Sequence, residues 1–154
     1  MYTGSSTILL VEDNTNEVFL IERAFRKANI GNQLKIVGDG ETAIHYLAGK
    51  DVYSDRHVYP LPMLMLLDLK LPRKSGLEVL EWLRQQALLK RLPVIALTSS
   101  KHSADINRAY ELGINSYLVK PVTFERLVEV IQAFDKYWTA ISERPDLEEP
   151  DSQA

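Results

Sequence analysis

The chain reads as an α/β fold, five parallel strands alternating with five helices, and three observations predict it. Short runs of consecutive apolar residues recur at 6–11, 63–67 and 94–98. Runs without polar alternation suit strands covered on both faces, as in a parallel sheet. Between them lie segments with apolar residues at helical spacing, the pattern of helices that lay one stripe on a sheet. Finally, the runs end at polar residues: Glu12 and Asp13, Asp68, and Thr98. In a parallel sheet these ends share one edge, where open α/β sheets bind their ligands.

Residues 1–5 form a lead-in, and 6–11 the first strand. Asn14 and Glu17 have the spacing of a capping box. The helix that follows runs to about residue 29, with Val18, Ile21, Phe25 and Ala28 on one face. A weaker strand at 33–37 is punctuated by Gly38-Asp39-Gly40, and Ala43, Ile44, Leu47 and Ala48 mark a short helix. The connection 49–62 exceeds the roughly 2–6 residues usual in α/β units. Its Tyr53, Val58 and Tyr59 predict that part of it packs down. After the strand at 63–67, Ser75 and Glu78 repeat the capping-box pattern, and Leu77, Leu80 and Leu83 give a helix face. Pro93 precedes the strand 94–98, and a helix follows at 103–112. Gly113 suits the left-handed position that ends that helix. A last strand at 116–119 leads to Lys120-Pro121, and Thr123 caps the final helix. One domain is expected over 6–142, with no internal repeat; 143–154 is acidic and Pro-broken, the composition of a disordered tail.

Composition sets limits on function. The 154 residues are 45% hydrophobic and 25% charged, an ordinary globular profile. No stretch approaches the roughly 20 apolar residues of a membrane span, and no signal-peptide pattern opens the chain. A cytoplasmic protein is expected. With no cysteine, thiol catalysis and thiolate metal sites are excluded. The net charge is −3 with no dense Lys/Arg run, so nucleic acid is not an expected partner.

The strand ends carry the chemistry. With strand order 2-1-3-4-5, strands one and three are neighbours at the switch point, and Glu12, Asp13 and Asp68 crowd together. Like charges that close do not all ionise cheaply, and a divalent cation resolves the conflict. Oxygen ligands favour Mg²⁺ or Ca²⁺; an open set with few carboxylates points to Mg²⁺, which bridges to phosphate oxygens. Lys120 and the Thr98 hydroxyl are placed to hold a phosphoryl group on Asp68, the nucleophile of an in-line transfer.

These motifs resemble the receiver domain of two-component response regulators, the CheY-like family, a flavodoxin-like doubly wound fold. The likeness spans 6–141 and rests on Glu12-Asp13, Asp68 with Leu71-Pro72 and Gly76, Thr98-Ser99, Tyr117 and Lys120-Pro121. It implies that Asp68 accepts a phosphoryl group from a sensor histidine kinase. It also implies that Asp13, Asp68 and the Lys70 backbone carbonyl bind one Mg²⁺, with Glu12 orienting a metal water. Thr98 and Tyr117 become the switch pair, Lys120 the phosphoryl partner, and the bond before Pro121 cis. The long 49–62 connection, the wording LDLKLPRKSG and the end KYWTAISERP are further similar to small phytochrome-associated regulators.

The expectation is therefore a stand-alone phospho-acceptor switch and not a metabolic enzyme. An aspartyl phosphatase usually needs a second acid two residues after its nucleophile, and that position is Lys70. A flavodoxin-type cofactor binder needs a Ser/Thr/Gly-rich loop where this chain has EDNTNE. A degenerate receiver that only binds partners would not need Asp68, Thr98 and Lys120 together. The last helix can turn Leu127, Val128, Ile131, Phe134 and Trp138 to the sheet, leaving Val130, Tyr137 and Ile141 as surplus apolar surface. Such surface predicts a homodimer through helix four, strand five and helix five.

Overall fold

The structure is a computed structural model that describes residues 6–137, 143 and 145–148. Among these, β1 (Ile8–Val11), β2 (Leu34–Val37), β3 (Leu64–Leu67), β4 (Val94–Thr98) and β5 (Ser116–Val119) form one sheet. The helices α1 (Thr15–Ala28), α2 (Gly40–Ala48), α3 (Gly76–Arg84), α4 (Ser103–Glu111) and α5 (Phe124–Phe134) follow the strands in turn. All pairings are parallel and the order is β2-β1-β3-β4-β5, as the sequence predicts.

Alternation along each strand divides the core. Leu9 and Val11, Met65 and Leu67, and Val94 and Ala96 point to one face, packed with Leu47, Leu80 and Leu83 from α2 and α3. Ile8 and Leu10, Leu64 and Leu66, and Ile95 and Leu97 point to the other, against Ile21 and Phe25 of α1 and Leu127 and Ile131 of α5. Side chains in a strand alternate between faces. A strand with both faces covered must therefore be apolar throughout, which is why these runs show no polar alternation.

Register places the strand ends. Val11 pairs with both Val37 and Leu67, so β1 and β3 stop level. Glu12 N then donates to Val37 O at 3.0 Å, and Asp68 N to Val11 O at 3.1 Å. On the other side Thr98 pairs with Val119, and Lys120 N donates to Thr98 O at 2.9 Å. The residues that follow each strand are thereby delivered to one edge.

Several local expectations change. The segment Gly38-Asp39-Gly40 ends β2 as expected and also starts α2: Asp39 Oδ1 accepts from Thr42 N at 2.7 Å. Gly40 is required there, because a Cβ on it would lie 2.0 Å from the Lys74 carbonyl oxygen. In the 49–62 connection Tyr53 and Tyr59 pack on the core as expected. Their rings stand 4.9 Å apart edge to face, and Tyr53 stands 5.2 Å from Tyr46. Val58, by contrast, is exposed. Arg56 fixes this loop by donating to Tyr46 O at 2.8 Å and Leu47 O at 2.9 Å, the last carbonyls of α2.

In α1, Asn14 caps Glu17 N at 3.1 Å, but only half of the predicted capping box forms. Asn14 N turns instead to Glu12 Oε2 at 3.4 Å. The Ser75–Glu78 box is complete, Thr123 caps α5 through Arg126 N, and Gly113 takes a left-handed φ of 81°. Of the segment expected as a disordered tail, Leu147 is buried against the α2–α3 core, and Arg91 Nη1 donates to Asp146 O at 3.2 Å. Trp138 and Ile141 lie outside the described residues.

Arg84 joins two elements of the sheet's α3 side. Its guanidinium donates to Leu112 O and Gly113 O beyond α4, and to Lys90 O and Leu92 O ahead of β4. Losing these bonds leaves the carbonyls to water or without a donor, at about 1–3 kcal/mol for each that is buried. Arg84→Ala is expected to lower unfolding stability by about 2–4 kcal/mol in a urea titration, with an unchanged far-UV spectrum.

Candidate functional site

Asp68 follows β3 directly and is held from below by register and from the side by its own loop. Lys70 N donates to Asp68 Oδ1 at 3.1 Å, which turns the other carboxylate oxygen toward the cleft. The loop closes tightly: Gly76 N donates to Leu69 O at 2.9 Å. A Cβ at Gly76 would lie 2.4 Å from the Asp68 carbonyl oxygen, so a side chain there would push the loop after Asp68 off the start of α3.

Glu12 lies beside it at the end of β1, only 3% exposed. Its Oε2 accepts from Asp13 N at 3.0 Å. Asp13, next in the chain, is exposed. Carboxylate oxygens of Glu12, Asp13 and Asp68 lie within 4.8 Å of one another. From β5 comes Lys120, whose Nζ bonds Glu12 Oε1 and stands 3.3 Å from Asp68 Oδ2. The following Lys120–Pro121 bond is cis, as the resemblance implies.

The electrostatics follow from burial. Desolvation pushes the Glu12 carboxyl up to about 7, against the lowering pull of Lys120. Burial alone would lower the Lys120 ammonium; its bond to Glu12 and the Asp68 charge outweigh that and raise it. One ammonium thus serves two buried carboxylates, with a third exposed beside them. The set has hard oxygen donors, excess negative charge and an open mouth, so it can accept a divalent cation. The donors suit such an ion on their own chemistry, and a cation here would oppose the desolvation that raises the Glu12 carboxyl.

Glu12, Asp13, Asp68, Lys70 and Lys120 line one cleft of about 700 Å³, with Asn14, Thr15, Asn16, Glu17, Ser99 and Pro121. Thr98 and Tyr117 stand behind it. Thr98 is fully buried at the end of β4, and its Oγ accepts from Ser100 N at 3.4 Å. Tyr117, half-buried, donates its hydroxyl to Ser100 O at 2.9 Å; burial raises its pKa. Five of the residues singled out from sequence, Glu12, Asp13, Asp68, Lys70 and Lys120, thus meet in the cleft, and Thr98 and Tyr117 are linked to each other through Ser100. Sequence reasoning misses Ser100, although it touches both members of the expected switch pair. Its signal is faint: a lone serine two residues past a strand end.

The family model for the response regulator receiver domain matches residues 8–132. Among curated proteins, the probable methanogenesis regulatory protein FilR2 of Methanothrix harundinacea is 37% identical over 138 residues, covering 90% of this chain and 86% of the relative. The response regulator Rcp1 of Synechocystis is 37% identical over 131 residues, covering 85% and 87%. A solved Mn²⁺-bound form of Rcp1 matches with a TM-score of 0.78 at 36% identity, covering 91% of this chain and 99% of that one. The phosphorylated cyanobacterial phytochrome response regulator RcpA matches with a TM-score of 0.82 at 32% identity, covering 93% of this chain and all of that one. The level ends of β1 and β3, the acids they present and the lysine that β5 brings to them thus belong to a known architecture: the chain is a member of the response regulator receiver family.

Proposed function

We propose that this single receiver domain takes a phosphoryl group from a sensor histidine kinase onto Asp68 in a Mg²⁺-dependent reaction. The observation that carries the reading is the meeting of Asp68, Glu12, Asp13 and Lys120 at one edge, with Lys120 Nζ 3.3 Å from Asp68 Oδ2. Asp13, Asp68 and the Lys70 carbonyl would hold the ion, with Glu12 orienting one of its waters, and its charge would neutralise phosphoryl oxygens during transfer. The Asp68 carboxylate attacks phosphorus, the bond from phosphorus to the donor histidine nitrogen breaks, and the electron pair leaves with that nitrogen. Lys120 then exchanges carboxylate oxygens for phosphoryl oxygens, and the Thr98 hydroxyl donates to the same group. The kinase is of phytochrome type, a reading supported by the likeness to the phytochrome-linked regulator above and by the 49–62 connection. The protein is an acceptor that hydrolyses its own acyl phosphate and not an enzyme of metabolism, and it works in the cytoplasm. No membrane-spanning helix occurs among the described residues.

With Mg²⁺ and a small acyl phosphate donor, intact mass should show one added phosphoryl group, lost in Asp68→Asn. Full labelling of Asp68→Asn would remove Asp68 as acceptor. Lys70, exposed at the mouth of the cleft, shields the acyl phosphate from water in this reading. Lys70→Asn should then shorten the phospho-form's lifetime several-fold in a dephosphorylation time course, and equal lifetimes would place its ammonium in solvent.

Output runs through a two-fold homodimer built on α4, β5 and α5. Support comes from Tyr110 and Tyr137, each at least half exposed, and from β5, an edge strand half-buried along its whole length. Sedimentation at high micromolar concentration should give a dimer for the wild type and a monomer for the Tyr110→Glu, Tyr137→Glu double variant. A wild type that stays monomeric with and without a phosphoryl mimic ends the dimer reading.

A further inference from the structure

Ser100 is 1% exposed and uses every polar group it has. Its amide donates to Thr98 Oγ at 3.4 Å. Its carbonyl accepts the Tyr117 hydroxyl at 2.9 Å. Its hydroxyl donates to Asp105 Oδ2 at 2.6 Å and accepts from His102 N at 3.4 Å. One residue therefore ties the end of β4, the ring on β5 and the first turn of α4. The other end of α4 is pinned separately, by Arg84 at Leu112 O and Gly113 O.

The bond to Asp105 is the strongest in this set. A hydroxyl donating to a carboxylate is short and roughly twice as strong as a neutral pair. Asp105 sits in the first turn of α4, where the helix dipole favours its charge. The other contacts of Ser100 are long or neutral, and depend on where its backbone is held. An amide aimed at Thr98 Oγ occupies one lone pair of that hydroxyl and leaves its hydrogen for a different acceptor. The acceptor that comes within reach on phosphorylation is the new phosphoryl group on the neighbouring strand.

We propose that Ser100, anchored by Asp105, is a positioning residue that aims the Thr98 hydroxyl at the phosphoryl group and couples that contact to α4. It acts through Thr98 and touches neither metal nor donor. The inference rests on the reading of Asp68 as acceptor. Labelling of wild-type Asp68 tests that reading, and the ratio of variant to wild-type rates tests this one.

The experiment follows phosphorylation by acetyl phosphate with saturating Mg²⁺, using Ser100→Ala, Asp105→Ala, Asp105→Asn and the double variant Ser100→Ala, Asp105→Ala. Mg²⁺ affinity is measured by calorimetry on each. Ser100→Ala and Asp105→Ala should each lower the limiting rate about five- to tenfold, a loss on the scale of one ordinary hydrogen bond. Donor half-saturation and Mg²⁺ affinity should stay within about twofold, since the metal ligands lie elsewhere. Asp105→Asn keeps an oxygen acceptor and should recover most of the rate. The double variant should be no slower than either single one, the mark of two groups acting as a unit. The proposal is overturned if both single variants label at the wild-type rate, if Mg²⁺ affinity falls in step with the rate, or if the two losses multiply. Asp105 is only partly buried, so its variants decide the matter even where Ser100→Ala folds poorly.

Discussion

The contact on which the site depends is the ammonium of Lys120 set between Glu12 and Asp68. Two carboxylates at neighbouring strand ends, both largely buried, would repel each other and lose water without full return. A single cation between them offsets part of that cost. The remainder is visible in Glu12, whose carboxyl burial pushes up to about 7 despite its bond to Lys120. An acidic site left short of positive charge has chemistry that suits one more cation at its open side, and in the proposed function a phosphoryl group would then give Lys120 new oxygens.

Everything else in the fold serves to bring these groups together. Lys120 is 108 residues from Glu12 in sequence, and only the sheet closes that distance. Pairing of Val11 with Leu67 makes β1 and β3 end level, and pairing of Thr98 with Val119 carries Lys120 to the same edge. The register is enforced by the two apolar faces, since a slip of one residue would exchange Leu9 and Val11 with Ile8 and Leu10 across the sheet. The close approach of Gly76 to the Asp68 carbonyl fixes the loop after Asp68. Stability of the core and geometry of the site are thus one requirement.

Much of this is legible in the order of residues alone. β4 and β5 agree with their sequence reading to the residue: β4 through the apolar run of a strand buried on both faces, β5 through the short stretch between Gly113 and Lys120-Pro121. The acids, Thr98 and Lys120 stand out because polar residues at the ends of such runs are out of place unless a site needs them. The misreadings are local. Gly38-Asp39-Gly40 marks the end of β2 correctly, but the sequence does not show that Asp39 caps α2 or that Gly40 is demanded by the Lys74 carbonyl, a contact 34 positions along the chain that no window of sequence contains. Glu17 looks like half of a capping box, but Glu12 takes the Asn14 amide that would complete it. Ser100 has no periodic signature at all. Its importance exists only once β4, β5 and the first turn of α4 are folded around it.

The central claim is that Lys120 compensates the acids and that a metal ion can share this task. Urea unfolding of the wild type and Lys120→Met, each with and without Mg²⁺, tests it most directly. Without the ion, Lys120→Met should be less stable by about 3 kcal/mol, the cost of leaving a buried charge unpaired. Mg²⁺ should stabilise both proteins by linkage and the variant by the larger amount, closing most of the gap. Equal stability of the two proteins without the ion, or no effect of Mg²⁺ on either, would contradict the account.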